Sequence, residues 1–300
     1  MRRALALASV VVLALTGCGQ AETMARLQPI GARTPSATPT PTASPTPKPT
    51  AAKPSAPISI DLTGGVLSNK LYGVGKVPVV RCSLPRANLR SKAGMTAYAR
   101  VLIACMDKAW GPMVQKADAY LFPPEVFAYS LRTPKATPDC ANAPKNTDAF
   151  YYYSGVSGKI CFEWDNFLEV KDPTMRQTYF EEVIAHEYGH HVQQSVGILT
   201  LYGELMRGKS KTGQLEVQRR KELQASCFGA AFLGSNKKLF RLSGLRLQMW
   251  RYIVQHVGDE YSTVRDHGSR KNHAYWSTKA FTSTTPATCN TFTAPAARVS

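Results

Sequence analysis

Acidic side chains are scarce. Asp and Glu total 20 of 300 residues against 37 Lys and Arg, which gives a net charge of +17 and a pI near 9.7. That balance favours anionic surroundings: lipid headgroups, acidic wall polymers or nucleic acid. No nucleic acid is expected as a partner, because the basic residues are scattered and form neither a binding motif nor a single stripe. No internal repeat divides the chain. Beyond the first residues, no apolar run is long enough to span a bilayer. Histidine is also rare. There are six, and three fall within "AHEYGHHVQ", Ala185 to Gln193.

The N-terminus reads as a targeting segment. Arg2 and Arg3 precede an unbroken apolar run, Ala4 to Leu15, which is too short for a mature membrane helix and has the order of a secretory signal. It ends in Leu15-Thr16-Gly17-Cys18, which resembles the bacterial lipoprotein cleavage signal. The resemblance implies that residues 1–18 form the signal and that Cys18 becomes the lipidated N-terminus. Acyl chains on that cysteine would anchor the protein to the outer face of the cytoplasmic membrane without a transmembrane helix. Residues 19–57 come next as a tether. Their Pro/Thr/Ser/Ala-rich part, Thr34 to Pro57, has almost no large apolar residues and favours an extended polyproline conformation. At ~3.1 Å per residue it reaches about 70 Å. The folded domain is expected over residues 58–300.

Of seven cysteines, Cys18 is assigned to lipidation. Cys82, Cys105, Cys140, Cys161, Cys227 and Cys289 remain, an even number that suits three disulfides in an exported chain. Spacing alone leaves the pairing open. The expected set joins sequence neighbours, Cys82–Cys105 and Cys140–Cys161, and ties Cys227 to Cys289.

A first helix is predicted over Ser91 to Trp110, with Met95, Tyr98, Leu102, Cys105 and Ala109 on one face. Gly111-Pro112 and Pro123-Pro124 are expected to punctuate the chain beyond it. Phe150 to Tyr153 and Lys159 to Glu163 read as a hairpin about a Ser/Gly turn. Asp172 is a suitable N-cap and Pro173 a suitable first residue for a helix that stops at Gly197. Further helices fit Leu215 to Phe232 and Leu245 to Val257, and a last short one starts after Gly268.

The histidine cluster falls on the helix after Asp172. His186 and His190 are four apart, so both imidazoles leave one face and can bind one metal ion, while Glu187 lies beside the first. Zinc held there would lower the pKa of a water and polarise a carbonyl, with Glu187 as general base. His191 points elsewhere and is not expected to be a ligand. A catalytic zinc needs a third protein ligand. Gln193 and Val196 stand where a metzincin would have Gly and His, so that class is excluded. Glu222, in "KELQASCFGAA", is the leading candidate among Glu204, Glu216 and Glu260. The small residues Ala225, Ser226, Gly229 and Ala230 would let its helix pack closely on the zinc helix.

"AHEYGHHVQ", "ELQASCFGA", "HGSRKNHAYW" and "CNTF", in that order, make the chain similar to the bacterial neutral zinc metallopeptidase family. "CSLP", "CMDKAWGP" and "FPPEVF" resemble its actinobacterial branch. The likeness covers roughly Cys82 to Phe292. It implies an α+β, zincin-like fold of the gluzincin type, with a small sheet, an active-site helix and a helical C-terminal part. It also implies one Zn2+ per chain, no small-molecule cofactor, and Glu222 as the third ligand. Ser226 departs from the family pattern, which has Asp there to accept a hydrogen bond from a ligand histidine. Asp266 is a candidate to substitute for it. His267 is a candidate for stabilising the oxyanion. His256 and His273 read as structural.

The expectation is therefore a membrane-anchored, extracytoplasmic zinc metallopeptidase that acts on a peptide or protein. The strand Lys159 to Glu163 is the candidate edge for holding substrate through backbone hydrogen bonds. The rivals are a non-catalytic lipoprotein on a zincin scaffold, which binds peptides or assists envelope assembly, and a zinc amidase acting on wall peptides.

Overall fold

A computed structural model describes residues 61–133, 137–141, 143–144, 147–154 and 157–300. The signal-type run, Cys18 and the tether, residues 19–57, lie outside the described residues. Helix α1, Lys92–Lys116, starts where Ser91 caps it by accepting a hydrogen bond from the Gly94 amide at 3.2 Å. Its expected face, from Met95 to Ala109, is buried. The helix does not stop at Gly111-Pro112. Pro112 lacks an amide hydrogen and interrupts the ladder at a cost of about 3 kcal/mol. Trp110, Met113 and Val114 are all buried around it, and their burial carries the helix on to Lys116.

Strands β1 (Glu125–Tyr129), β2 (Ala149–Ser154) and β3 (Ser157–Glu163) form one sheet in the order β1-β3-β2. The hairpin is as expected, with Tyr151 opposite Ile160 and Tyr153 opposite Gly158. The expectation that Lys159 to Glu163 forms an exposed edge is corrected. β3 is the central strand, because "EVFAY" after Pro123-Pro124 adds β1 parallel to it, with Val126 opposite Ile160. Its backbone groups are engaged on both sides and Ile160, Cys161 and Phe162 are fully buried. A short helix, α2 (Trp164–Glu169), leads from β3 toward the next long helix.

That next helix, α3 (Pro173–Ser195), has Asp172 accepting the Met175 amide at 2.7 Å and Pro173 in its first turn. Past its end, Gly197 takes a left-handed φ of 83°. Phe180 on α3 packs edge-on against Phe162 of β3 and Phe167 of α2, with ring centroids 5.2 and 4.9 Å apart. These contacts join the sheet to the helical layer. After the short α4 (Tyr202–Met206), α5 runs from Lys211 to Ser235, a turn longer at each end than its apolar pattern suggested. α6 (Gly244–His256) and α7 (Arg270–Ser283) complete the helical part, and α7 is a full 14 residues.

The most extensive helix pairings are α3 with α5 and α5 with α7. Small residues permit this. A Cβ on Gly189 would collide with the Ala225 carbonyl, and one on Gly229 would lie 2.7 Å from the Ala185 carbonyl oxygen. The structure joins Cys82 to Cys105, Cys140 to Cys161 and Cys227 to Cys289, with Cα separations of 5.9, 6.0 and 5.6 Å. An N-terminal strap, residues 66–80, returns to the far end of the chain. Asn69 donates to the Val196 carbonyl, the Val77 amide to Thr284, the Val80 amide to Asn236, and Asn290 to the Leu67 carbonyl. Among the described residues no helix is long and apolar enough to cross a membrane.

Candidate metal centre

His186, Glu187 and His190 leave α3 toward α5, which brings Glu222 to meet them. Glu222 Oε2 lies 2.9 Å from His190 Nε2 and 3.3 Å from His186 Nε2. One ligand atom from each of the three residues can be chosen so that all lie within 4.8 Å of one another. The other Glu222 oxygen, Oε1, is 2.8 Å from Lys221 Nζ. Burial alone would raise the Glu222 carboxyl. Lys221 outweighs it, with His267 adding to the effect, and the group is held well below its usual range, so it is ionised.

The outer nitrogens of the two histidines decide what the inner ones can do. Gln193 uses its amide nitrogen to donate to the Lys221 carbonyl at 2.8 Å and to Gln224 at 3.0 Å. Its Oε1 is therefore left to accept from His190 Nδ1, 2.8 Å away. The neutral His190 ring then carries its proton on Nδ1, and Nε2 is a bare lone pair. His186 is set by a longer chain. The Val254 carbonyl can only accept, so His273 Nδ1, at 2.9 Å, carries a proton. His273 Nε2 accepts from the Ser226 hydroxyl at 3.1 Å, and Ser226 Oγ accepts from His186 Nδ1 at 2.8 Å. His186 Nε2 is left bare, and it is buried without a hydrogen-bond partner.

With both rings neutral, two imidazole lone pairs and a carboxylate oxygen converge on one point. Buried acceptors in that arrangement repel one another unless a cation sits among them. Two nitrogens and one oxygen, each with its outer atom hydrogen-bonded, suit zinc with a position left open.

Glu187 is buried beside this group. Burial pushes its carboxyl up to about 7, against the opposing charge of His267. His267 reaches the centre from the loop before α7. Its Nε2 is 3.8 Å from Glu222 Oε2, and its Nδ1 donates to Asp266 at 2.6 Å. Asp259 holds that loop by accepting the His267 and Gly268 amides, both at 2.8 Å. Gly268 has a φ of 87°, which favours glycine. Glu222 and Asp266 hold the His267 imidazole above its usual range even though burial opposes this.

The structure places Asp266 on His267 and not on either histidine of the pair. The role reserved for it, replacing the missing family carboxylate, falls to the neutral Ser226–His273 chain. His273, expected to be only structural, is two hydrogen bonds from the centre. Sequence reasoning also passed over Gln193 and Lys221. Gln193 stands one helical turn after His190 on the same face, which is the signal that would have found it. Lys221 precedes Glu222 directly and carries no such signal. His191 turns away, as expected, with Nδ1 3.2 Å from the Tyr151 hydroxyl. Among the described residues His256 bonds to its own helix, at the Tyr252 carbonyl.

Comparison with known proteins agrees with this geometry. Residues 65–292 match the family described as "Putative neutral zinc metallopeptidase". The chain is 26% identical to "Uncharacterized protein YpfJ" of Escherichia coli K12 over 207 residues, which is 65% of this chain and 70% of that one. It is 29% identical to "Uncharacterized protein Rv2575" of Mycobacterium tuberculosis H37Rv over 174 residues, 50% of this chain and 58% of that one. No solved structure matches. The match spans both metal-facing helices and the His267 loop, and the chain belongs to the neutral zinc metallopeptidase family.

Proposed function

We propose that the protein is a zinc-dependent peptidase, held on the outer face of the cytoplasmic membrane by a lipid on Cys18. The observation that carries the reading is the convergence of the His186 and His190 Nε2 atoms and an ionised carboxylate on one buried point. Zinc bound there supplies a Lewis acid and a water of lowered pKa. His186, His190 and Glu222 would hold the metal, while Lys221 fixes the second oxygen of Glu222. Glu187 takes a proton from the attacking water and returns it to the leaving nitrogen. His267, oriented by Asp266, donates from Nε2 to the oxygen of the substrate carbonyl as charge develops on it.

The test is metal analysis combined with a peptide-library digest, wild type against Glu187→Gln. Wild type is expected to carry one zinc per chain and to cleave peptides. Glu187→Gln is expected to keep the zinc and lose turnover. Protein purified without chelator that holds no zinc would sink the metal reading. A zinc-loaded wild type that binds peptides and never cleaves them favours the scaffold alternative.

A further inference from the structure

One turn before His186 on α3, Glu182 carries a buried carboxyl group that the metal chemistry does not use. It stands in the wall of a cavity of ≈ 80 Å³ that also reaches His186, Glu222 and His267. One water needs roughly 10–15 Å³ on this measure, so the space holds several waters or the end of one long side chain. Glu182 Oε2 accepts a hydrogen bond from Trp250 Nε1 at 2.6 Å. Trp250 is the one side chain that acts on this carboxyl, and no cation is paired with it, among the described residues. Burial pushes this carboxyl up to about 7. The other acids of the wall are occupied. Asp259 accepts two backbone amides and pairs with Arg265, and Asp266 pairs with His267. Tyr179, Val183 and Val257 line the approach with apolar surface.

We infer that this cavity is a side-chain subsite of the substrate, and that Glu182 selects a basic residue, lysine or arginine, next to the bond that is cleaved. The inference rests on the peptidase reading. An incoming ammonium or guanidinium gives the buried carboxylate the partner it lacks, while the aliphatic stem lies on Tyr179, Val183 and Val257. A neutral side chain of the same length fills the space and leaves Glu182 unpaired, and an acidic one adds repulsion. The cavity shares His186 and Glu222 with the metal centre, so a side chain seated in it brings its own peptide bond to the metal.

The probes are fluorescent peptides with a single lysine, norleucine or glutamate in an otherwise uncharged sequence. Affinities are read on zinc-loaded Glu187→Gln protein, and cleavage positions are read by mass spectrometry on wild type. The lysine peptide is expected to bind about tenfold or more tightly than the norleucine peptide, the scale of one hydrogen bond to a charged group. Wild type is expected to cut beside the lysine. Adding Glu182→Gln, which keeps an acceptor for Trp250, is expected to erase the preference with zinc content unchanged. Equal affinity for the lysine and norleucine peptides overturns the inference, whether or not the double variant folds. A lysine preference that survives Glu182→Gln overturns the assignment to that residue. Lysine-selective binding without cleavage removes the peptidase reading and leaves the subsite, whereas cleavage without lysine preference does the reverse.

Discussion

Ser226 shows how a single residue works through its neighbours. Its hydroxyl accepts from His186 and donates to His273, and so fixes which nitrogen of His186 faces Glu222 and the candidate metal position. Ser226→Ala is expected to weaken zinc affinity by about 10- to 100-fold, the usual weight of a partner that orients a ligand. Competition against a chromophoric chelator measures this, and an unchanged affinity would show that the chain of hydrogen bonds does nothing for the metal. His273→Ala should act in the same direction. A second residue gives a pH effect. Burial raises the Asp107 carboxyl to about 6, with the Tyr188 hydroxyl opposing. Its folded-state pKa lies above the ordinary carboxyl value of 3.8, so the native state binds the extra proton between the two. Stability from this group is full below the ordinary value and is lost as pH rises through about 6. Asp107→Asn should flatten that slope in denaturant titrations at about pH 4 and about pH 7. At this scale the sequence was legible where chemistry sets the spacing: His186, Glu187 and His190 declare themselves on one helix, the two histidines four apart. His273 and Lys221 did not, because their roles come from contacts between elements.

At the level of elements, the approach of α3 to α5 governs the centre. Gly229 lies against the Ala185 carbonyl, one residue before His186. Gly229→Ala must push the helices apart, at about 1–3 kcal/mol for overpacking. The same shift separates Glu222 from the histidines, so the variant is expected to lose zinc as well as stability. Thermal melting with and without added zinc separates the two effects. A variant that melts lower and retains wild-type zinc affinity would show that the close approach serves packing alone. The small residues around Glu222 made this helix pair legible. The strand order was not. β1 is five residues long, comes after two prolines and pairs in parallel with β3 far along the chain, and no local pattern encodes that partnership. The run through Pro112 was hidden for a related reason. Proline advertises a break, and only the buried surroundings of Trp110 and Met113 overrule it.

For the whole molecule, two covalent features bear on behaviour. If Cys18 carries lipid, Cys18→Ser should move the protein from the membrane fraction to the medium, with zinc content unchanged. A variant that stays with membranes would sink the lipid anchor. The bond between Cys227 and Cys289 ties α5 to the last part of the chain across a sequence separation of 62. Replacing both cysteines with serine should lower stability by about 2–5 kcal/mol.

The strap of residues 66–80 adds an order of events. Its four bonds described above, from Asn69, Val77, Val80 and Leu67, span 127 to 223 positions of sequence, whereas His190 and Glu222 are 32 apart. Closing a long loop costs more entropy than closing a short one, and the reward comes later in folding. The helical pair that gathers the candidate ligands is therefore expected to assemble early, and the strap to be fastened afterwards. Opening runs in reverse. Amides such as Val77 and Val80 should exchange with solvent at denaturant concentrations where the protein still retains its zinc.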